Sequence, residues 1–243
     1  MKTEFIHHSS IYIELEEHVL IFDYVSSDNK FGFEGRLPEL PNDKDIFFFV
    51  SHNHEDHYDP CILDIQKNND RVFIVADTSV GIGKKPGLFE KNFNGKILKV
   101  DFGKEYKFID LRIKTIKSTE MGVAFVVECE GKKIYHAGDL ALWYWEGVGD
   151  LINGRETSAY KKAVNKLSEE KLDVACVPMD PRMKSHAGDG MMFFLENNDC
   201  PFVIPIGTWN DFSCIETFKS KCSNSAFAMR VCDLSHVNEI LKN

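Results

Sequence analysis

The stretch at 47–60, FFFVSHNHEDHYDP, constrains the fold more than any other part of the chain. Its four leading apolar residues indicate a strand buried on both faces, and its closing proline suits the first turn of a helix. If the strand ends at Ser51, His52 and His54 point to the same side, because alternate residues of an extended segment share a face. Their imidazoles could then share one metal ion.

Asp56 and His57 follow where the chain must turn from that strand into a helix. At this junction they could reach a second ion a few ångströms from the first. Histidines also cap helices and occupy solvated loops, but an HxHxDH spacing is far more specific than a lone histidine. The spacing therefore predicts two neighbouring metal ions.

Composition limits the class of protein and its partners. The chain has 243 residues, 43% of them hydrophobic, which is enough to bury the core of one domain spanning 1–243. A net charge of -9 without long runs of like charge disfavours nucleic acid and anionic membranes as partners. No apolar stretch is long enough to cross a bilayer, and the first ten residues do not resemble a secretory signal. We expect a cytoplasmic protein with a small-molecule partner, and its oligomeric state is not predicted.

Cysteine usage gives no alternative metal site. The seven cysteines are scattered, odd in number and never in a CxxC pair. Neither a disulfide framework nor a thiolate zinc site is indicated, and we expect reduced, mostly buried thiols.

Strand-like runs dominate the first half of the chain, and helices alternate with strands in the second. The early runs predict antiparallel hairpins, and the later strands are predicted at 172–180 and 201–207. This order suits an α+β fold of two sheets packed face to face with helices outside. Helices are predicted at 60–68, 157–170, 188–198 and 236–243.

The motif HNHEDH resembles the HxHxDH signature of the metallo-β-lactamase superfamily. Two further segments match: LIFDY, which ends a strand at Asp23, and KKIYHAGDL, which contains Asp139. The opening FIHHSSIYIELEEHVLIFDY is similar to the branch that includes ascorbate-6-phosphate lactonase. The resemblance covers residues 5–140 and implies a four-layer αββα sandwich with the metal site at one edge of its two sheets.

The resemblance also implies a chemistry. Two divalent ions, zinc most often and otherwise manganese or iron, would activate a water that attacks a small ester, lactone or phosphoester. Asp139 would bridge the ions, Asp56 would bind one of them and orient the water, and Asp23 would hold a ligating histidine by a hydrogen bond. The implied metal ligands are His52, His54, Asp56, His57 and Asp139.

Two ligands of the family are missing from their usual places. The loop that supplies a third histidine for the first ion reads IKSTEMG here, and the position near Gly207 that supplies the last one has no histidine either. Glu120 could replace the first through oxygen, which would favour harder ions such as manganese or iron. His186, in a polar loop after a core strand, is the other candidate ligand. The alternative for Glu120 and for His186 is that each is an exposed loop residue that binds no ion.

Residues next to the presumed site suggest how substrate could bind. Trp143, with Tyr144 and Trp145, follows Asp139 and could form an aromatic wall, and Arg182 could pair with a phosphate or carboxylate. Packing of a loop is the alternative for the aromatic residues.

Three functions remain open: a metal-dependent hydrolase, a catalytically impaired metal- or ligand-binding protein, and a di-iron redox enzyme on the same scaffold.

Overall fold

The computed structural model of the protein describes residues 1–81, 93, 95–236 and 238–241. Strands in these residues follow the predicted apolar runs closely, and the buried stretch FFFV lies in one of them. The strands are β1 (Lys2–His7), β2 (Ser10–Glu14), β3 (His18–Phe22), β4 (Asp45–Val50), β5 (Val72–Asp77), β6 (Lys96–Val100), β7 (Glu105–Phe108), β8 (Leu111–Lys117), β9 (Val123–Cys129), β10 (Lys132–His136), β11 (Val174–Pro178), β12 (Phe202–Ile206) and β13 (Glu239–Leu241).

These strands form two mixed sheets. The first has the order β13-β1-β2-β3-β4-β5-β6 and the second the order β12-β11-β10-β9-β8-β7. The prediction of hairpins is confirmed for β2 with β3 and for β8 to β10. The apolar runs did not predict β1 and β7, which also pair antiparallel with their neighbours. It is wrong for β3 with β4 and for β5 with β6, which pair in parallel, as parallel strands need a longer connection than a hairpin. β4 and β5, between which a helix was expected, are parallel as well.

Four α-helices lie in the described part of the chain. They are α1 (Asp150–Asn165), α2 (Asp189–Asn197), α3 (Ser213–Lys221) and the short α4 (Phe227–Arg230). Helices were expected where α1 and α2 occur. The expected helix at 60–68 is reduced to a 3-10 turn, Pro60–Leu63. Within the helix expected at 236–243, the described residues contain β13, which pairs with β1, and residues 237, 242 and 243 lie outside the described part. None of the helices in the described ranges is long and apolar enough to cross a membrane.

The main core fills the space between the sheets and continues beneath the helices. Phe49 of the first sheet meets Phe125 of the second edge to face, with ring centroids 5.3 Å apart. On the outer side of the second sheet, Tyr135 stacks on Phe194 of α2 at 5.8 Å. A separate apolar cluster that includes Ile62 covers the outer face of the first sheet. The predicted α+β sandwich is confirmed.

The ends of several strands meet at one edge of this sandwich. Val123 at the start of β9 donates its backbone N–H to the Ser51 carbonyl at 3.0 Å, which joins the two sheets directly behind the HxHxDH segment. Gly138 has a φ of 51°, and a Cβ on it would lie 2.6 Å from the Ser51 Cβ. This position therefore requires glycine, and the close approach brings Asp139 against the histidines of the first sheet.

Candidate metal site

The first group of possible ligands contains His52, His54 and Asp139. One donor atom from each lies within 4.8 Å of the others, and the two imidazole centroids are 4.5 Å apart. His52 Nε2 is 3.4 Å from Asp139 Oδ2, yet it is fully buried and has no hydrogen-bond partner among the described residues. Burying a polar nitrogen without a partner is costly, so this atom indicates a place for a cation.

The second group contains His8, Asp56 and His57. Their donor atoms also lie within 4.8 Å of one another, with Asp56 Oδ2 3.4 Å from His8 Nε2 and 3.6 Å from His57 Nε2. The other oxygen of Asp139, Oδ1, lies 3.1 Å from His57 Nε2. Asp139 therefore faces both groups, in the position that the resemblance gives to a bridging carboxylate.

Asp23 and Ser51 fix the orientation of two of the imidazoles. The buried Asp23 carboxylate accepts from His57 Nδ1 at 2.8 Å and from the Ser51 hydroxyl at 2.7 Å. Because that hydroxyl gives its hydrogen to Asp23, its oxygen accepts from His52 Nδ1 at 2.9 Å. Both histidines thus carry their neutral-state proton on Nδ1, and both Nε2 lone pairs are available to an ion.

The charged groups of the site perturb one another strongly. Burial acts to raise the pKa of Asp139, but His57 and His52 hold that pKa well below its usual range. Burial also acts to raise the pKa of Asp56, yet His8 and His57 hold it at about 2. Burial acts to lower the pKa of His57, but Asp139 and Asp23 raise that pKa well above its ordinary value. In the metal-free protein, His57 thus holds a proton that a bound cation would replace.

Glu120 lies in the exposed turn between β8 and β9 and approaches the same site. Desolvation of its carboxyl, with the hydrogen bond and charge of Asp139, raises the pKa of Glu120 to about 7. The turn is held by the Glu120 backbone N–H, which donates to the Ser118 hydroxyl at 3.2 Å. The structure therefore brings this predicted substitute for the missing histidine next to Asp139.

His8 was not foreseen as a site residue, although its position in FIHHSS, directly after a buried strand, was a usable signal. It has a φ of 44° and is almost fully buried. Burial lowers its pKa, while Asp56 acts to raise it. Its carbonyl accepts from the backbone N–H of Gly207, the residue near which the family's last histidine was expected. His8 thus enters the site beside the place where that ligand is missing.

The remaining predicted residues have different surroundings. His186 is not brought to either group, since its Nδ1 bonds to Asp189 Oδ2 at 2.7 Å and its ring lies on Tyr144. Trp143 is buried in a small apolar cluster and stacks on Trp145 at 5.7 Å, so its ring does not form a wall of an open site. Both expectations rested on the position of the residue after a strand end, whereas the structure shows local partners for both side chains.

Arg182 is exposed and lies over aromatic rings. Its guanidinium centre is 4.2 Å from the Trp209 ring and 5.8 Å from the Trp145 ring. The buried Asp180 carboxylate pairs with it and also accepts from Trp209 Nε1 at 3.2 Å. Burial acts to lower the pKa of Arg182, but the hydrogen bond and charge of Asp180 raise it, and Asp56 and Asp139 add smaller contributions across the site. The role of Arg182 in substrate binding stays a prediction, and the sequence patterns did not indicate Trp209 or Asp180 beside it.

Comparison with known proteins agrees with this architecture. A UPF0173 metal-dependent hydrolase of Natranaerobius thermophilus is 28% identical over 193 residues, which cover 79% of this chain and 77% of the relative. Zn²⁺-bound PqqB from Methylobacterium extorquens has a similar fold, with a TM-score of 0.58 at 11% identity over 96% of this chain and 86% of that chain. The di-iron β-hydroxylase CmlA from Streptomyces venezuelae has a TM-score of 0.56 at 12% identity, over 85% of this chain and 44% of that chain.

A family profile described as a β-lactamase superfamily domain matches residues 2–144, more than half of the chain. These residues include the whole HxHxDH segment, Asp139, and His8. The closer similarity to the ascorbate-6-phosphate lactonase branch stays a prediction. The chain belongs to the β-lactamase superfamily.

Proposed function

We propose that the protein is a metal-dependent hydrolase that cleaves a small ester, lactone or phosphoester with water activated between two divalent ions. One observation carries this proposal: two groups of ligand atoms converge on opposite oxygens of Asp139, and two of the histidines have their Nε2 lone pairs directed to the site by Asp23 and Ser51.

The separations between the donor atoms fit metal coordination. Two ligands each about 2.1 Å from a tetrahedral ion lie roughly 3.4 Å apart. The observed distances are 3.4 Å between His52 Nε2 and Asp139 Oδ2, 3.1 Å between His57 Nε2 and Asp139 Oδ1, and 3.6 Å between His57 Nε2 and Asp56 Oδ2. His54 and Glu120 would complete the first position, and Asp56 with His57 the second.

Ions bound there would supply hydroxide at neutral pH and polarise the oxygen of the bond under attack. The protein's own groups hold the reactants. Asp56 is ionised at neutral pH, since its pKa is held at about 2, and it can orient the attacking water by accepting its hydrogen. Glu120, whose pKa is raised to about 7 in the metal-free protein, would give up its proton on binding an ion at the first position.

The donor set limits the choice of metal and substrate. Three histidines with carboxylates suit zinc, whereas a Glu120 ligand in place of histidine increases the share of oxygen and also suits manganese or iron. For substrate, Arg182 with its exposed guanidinium and the neighbouring Trp209 ring favour a small anionic molecule. Nucleic acid is disfavoured by the net charge of -9.

The test combines metal content with turnover. Protein purified without chelator is analysed for metals per chain and assayed on panels of lactones, carboxylic esters and phosphodiesters. We expect close to two equivalents of metal and hydrolysis that is lost in Asp139→Asn but retained in His186→Ala, the matched change of a polar residue outside both groups. One equivalent or none, without hydrolysis of any panel, would instead support a binding protein. Bound iron with a visible absorption band and no hydrolysis would support the redox alternative.

A further inference from the structure

We propose that His8 is a hydrogen-bond donor to the reacting oxygen rather than a metal ligand. Its Nε2–H would face the oxygen of the substrate or of the attacking water at the second metal position, beside Asp56. This inference rests on the proposed hydrolytic function, and it assigns a catalytic role to a residue outside the HxHxDH motif.

Distance alone does not distinguish a ligand from a donor at this position. His8 Nε2 is 3.4 Å from Asp56 Oδ2, a separation that fits two ligands of one ion as well as an imidazole facing a carboxylate. The location of the ring proton decides between them. A histidine can bind an ion only through a nitrogen that carries no hydrogen.

The backbone of the loop after β12 determines where that proton is. The Trp209 backbone N–H donates to His8 Nδ1 at 3.4 Å. A backbone N–H cannot accept, so Nδ1 must present its lone pair, and in neutral imidazole the hydrogen then lies on Nε2. Nε2 is the nitrogen that faces the site, so His8 presents a hydrogen there and not a lone pair.

The two neighbouring histidines show the opposite arrangement. His57 Nδ1 lies 2.8 Å from a carboxylate oxygen of Asp23, and His52 Nδ1 lies 2.9 Å from the oxygen of a hydroxyl whose hydrogen is given to Asp23. Their Nδ1 atoms donate, so in each neutral ring the lone pair lies on Nε2, where an ion can bind. The site therefore contains imidazoles of both neutral tautomers, and the partner of Nδ1 decides which tautomer each ring adopts.

The His8 ring is held firmly in this orientation. It stacks on Phe33 at 4.8 Å with an interplanar angle of 12°, and the Trp209 ring lies 4.6 Å away on a tilt. The left-handed backbone of His8 is fixed by the hydrogen bond from Gly207 N–H to its carbonyl at 3.0 Å. A donor held rigidly in a buried site stabilises developing negative charge without reorganising, which is where such groups contribute most to catalysis.

The position of the proton can be measured before any metal is added. Long-range ¹H–¹⁵N spectra of metal-free, ¹⁵N-labelled protein, with the His8 signals identified by their loss in His8→Gln, separate protonated from unprotonated ring nitrogens. We expect a protonated Nε2 for His8, retained after zinc is added. A protonated Nδ1, or coordination of Nε2 when zinc is added, would overturn the inference, and this measurement does not depend on finding a substrate.

Substitutions of His8 give a second, independent test of whether it is a hydrogen-bond donor or a metal ligand. His8→Ala should lower kcat about 100-fold to 1,000-fold, the usual effect of removing one such donor, while zinc affinity stays within about threefold. His8→Gln places an amide N–H near the original Nε2 and should recover at least about tenfold of the lost kcat. In the matched ligand change, His57→Gln, zinc affinity should fall with activity. Loss of zinc affinity in His8→Ala would contradict the inference, whereas a wild-type protein without metal or turnover would contradict the proposed function instead.

Discussion

Asp23→Asn tests the arrangement that prepares the metal ligands. The Asp23 carboxylate is buried and accepts three hydrogen bonds: from the Ser51 backbone N–H at 2.8 Å, the Ser51 hydroxyl at 2.7 Å and His57 Nδ1 at 2.8 Å. Its φ of 44° is one that asparagine also tolerates, so the substitution leaves the backbone unstrained. The change removes one acceptor oxygen and its charge while keeping the shape of the side chain.

Two effects of this substitution can be estimated. The new amide can keep the Ser51 backbone bond, but its NH₂ faces the Ser51 hydroxyl and His57 Nδ1, which both donate to Asp23. Losing two hydrogen bonds to a buried charged group, each worth about 1.5–3 kcal/mol, should lower the free energy of unfolding of the metal-free protein by about 3–6 kcal/mol. If His57 answers by moving its proton to Nε2, it can no longer bind an ion there, and metal affinity should fall about 10-fold to 100-fold.

The assay pairs urea unfolding of the metal-free protein with zinc affinity from competition against a chelating indicator. Asp173→Asn is the control, because the Asp173 carboxylate likewise accepts from a backbone N–H, that of Lys133 at 2.9 Å, and from the Lys132 ammonium at 3.0 Å, but at the start of β10, whereas Asp139 follows the end of that strand. The control should lose stability without losing zinc affinity. An Asp23→Asn protein that binds zinc within twofold of wild type would refute the proposed orienting role of Asp23.

Three further changes test the rest of the site. His54→Ala should leave the protein folded, since His54 is only partly buried, but should reduce bound metal below two equivalents and abolish hydrolysis; unchanged stoichiometry by elemental analysis would contradict its assignment. Because the folded-state pKa of Glu120 is raised to about 7, its protonation stabilises the metal-free protein below about pH 4.5, and this contribution is lost as the pH rises through 7. This contribution is about 1 kcal/mol after solvent screening, and it makes the free energy of unfolding depend on pH between 5 and 8. Glu120→Gln should remove that pH dependence, measured by urea unfolding, and should weaken zinc binding. An unchanged pH dependence would show that the pKa of the Glu120 carboxyl is not raised. His186→Ala should change neither metal content nor turnover, and a loss of bound metal would return His186 to the ligand set.

The chain's local patterns predicted the part of the site that is continuous in sequence. His52 and His54 follow the apolar strand directly, so alternation along an extended segment was enough to bring their rings together. The two sheets followed from the dense strand runs, but the direction of β3 to β6 did not. Parallel pairing depends on where long connections cross the sheet, and that is not encoded in the period of any single strand.

Contributions from distant segments were harder to predict. His8 directly follows the first strand and Trp209 lies in the last third of the chain. Only the folded backbone shows that the Trp209 N–H meets the His8 ring. His186 failed for the opposite reason. It occupies a suitable loop, but Asp189, three residues along, takes its Nδ1. Spacing along the chain can nominate such residues, but it cannot determine which competing partner each will meet.

The proposed ligands come from loops attached to both sheets, and this has a consequence for the whole molecule. His52, His54 and His57 follow β4 of the first sheet, whereas Asp139 follows β10 of the second sheet and Glu120 lies in the turn between β8 and β9 of that sheet. An ion bound by residues of both sheets would act as a cross-link between the two halves of the sandwich. Such a cross-link closes a long loop of the chain, and it offsets the conformational entropy that is lost when the two halves come together. Resistance to heat and denaturant should then follow the free metal concentration, by about 1.4 kcal/mol per ion for each tenfold change above the dissociation constant. The supply of metal would set how long the protein persists in a cell as well as whether it can act.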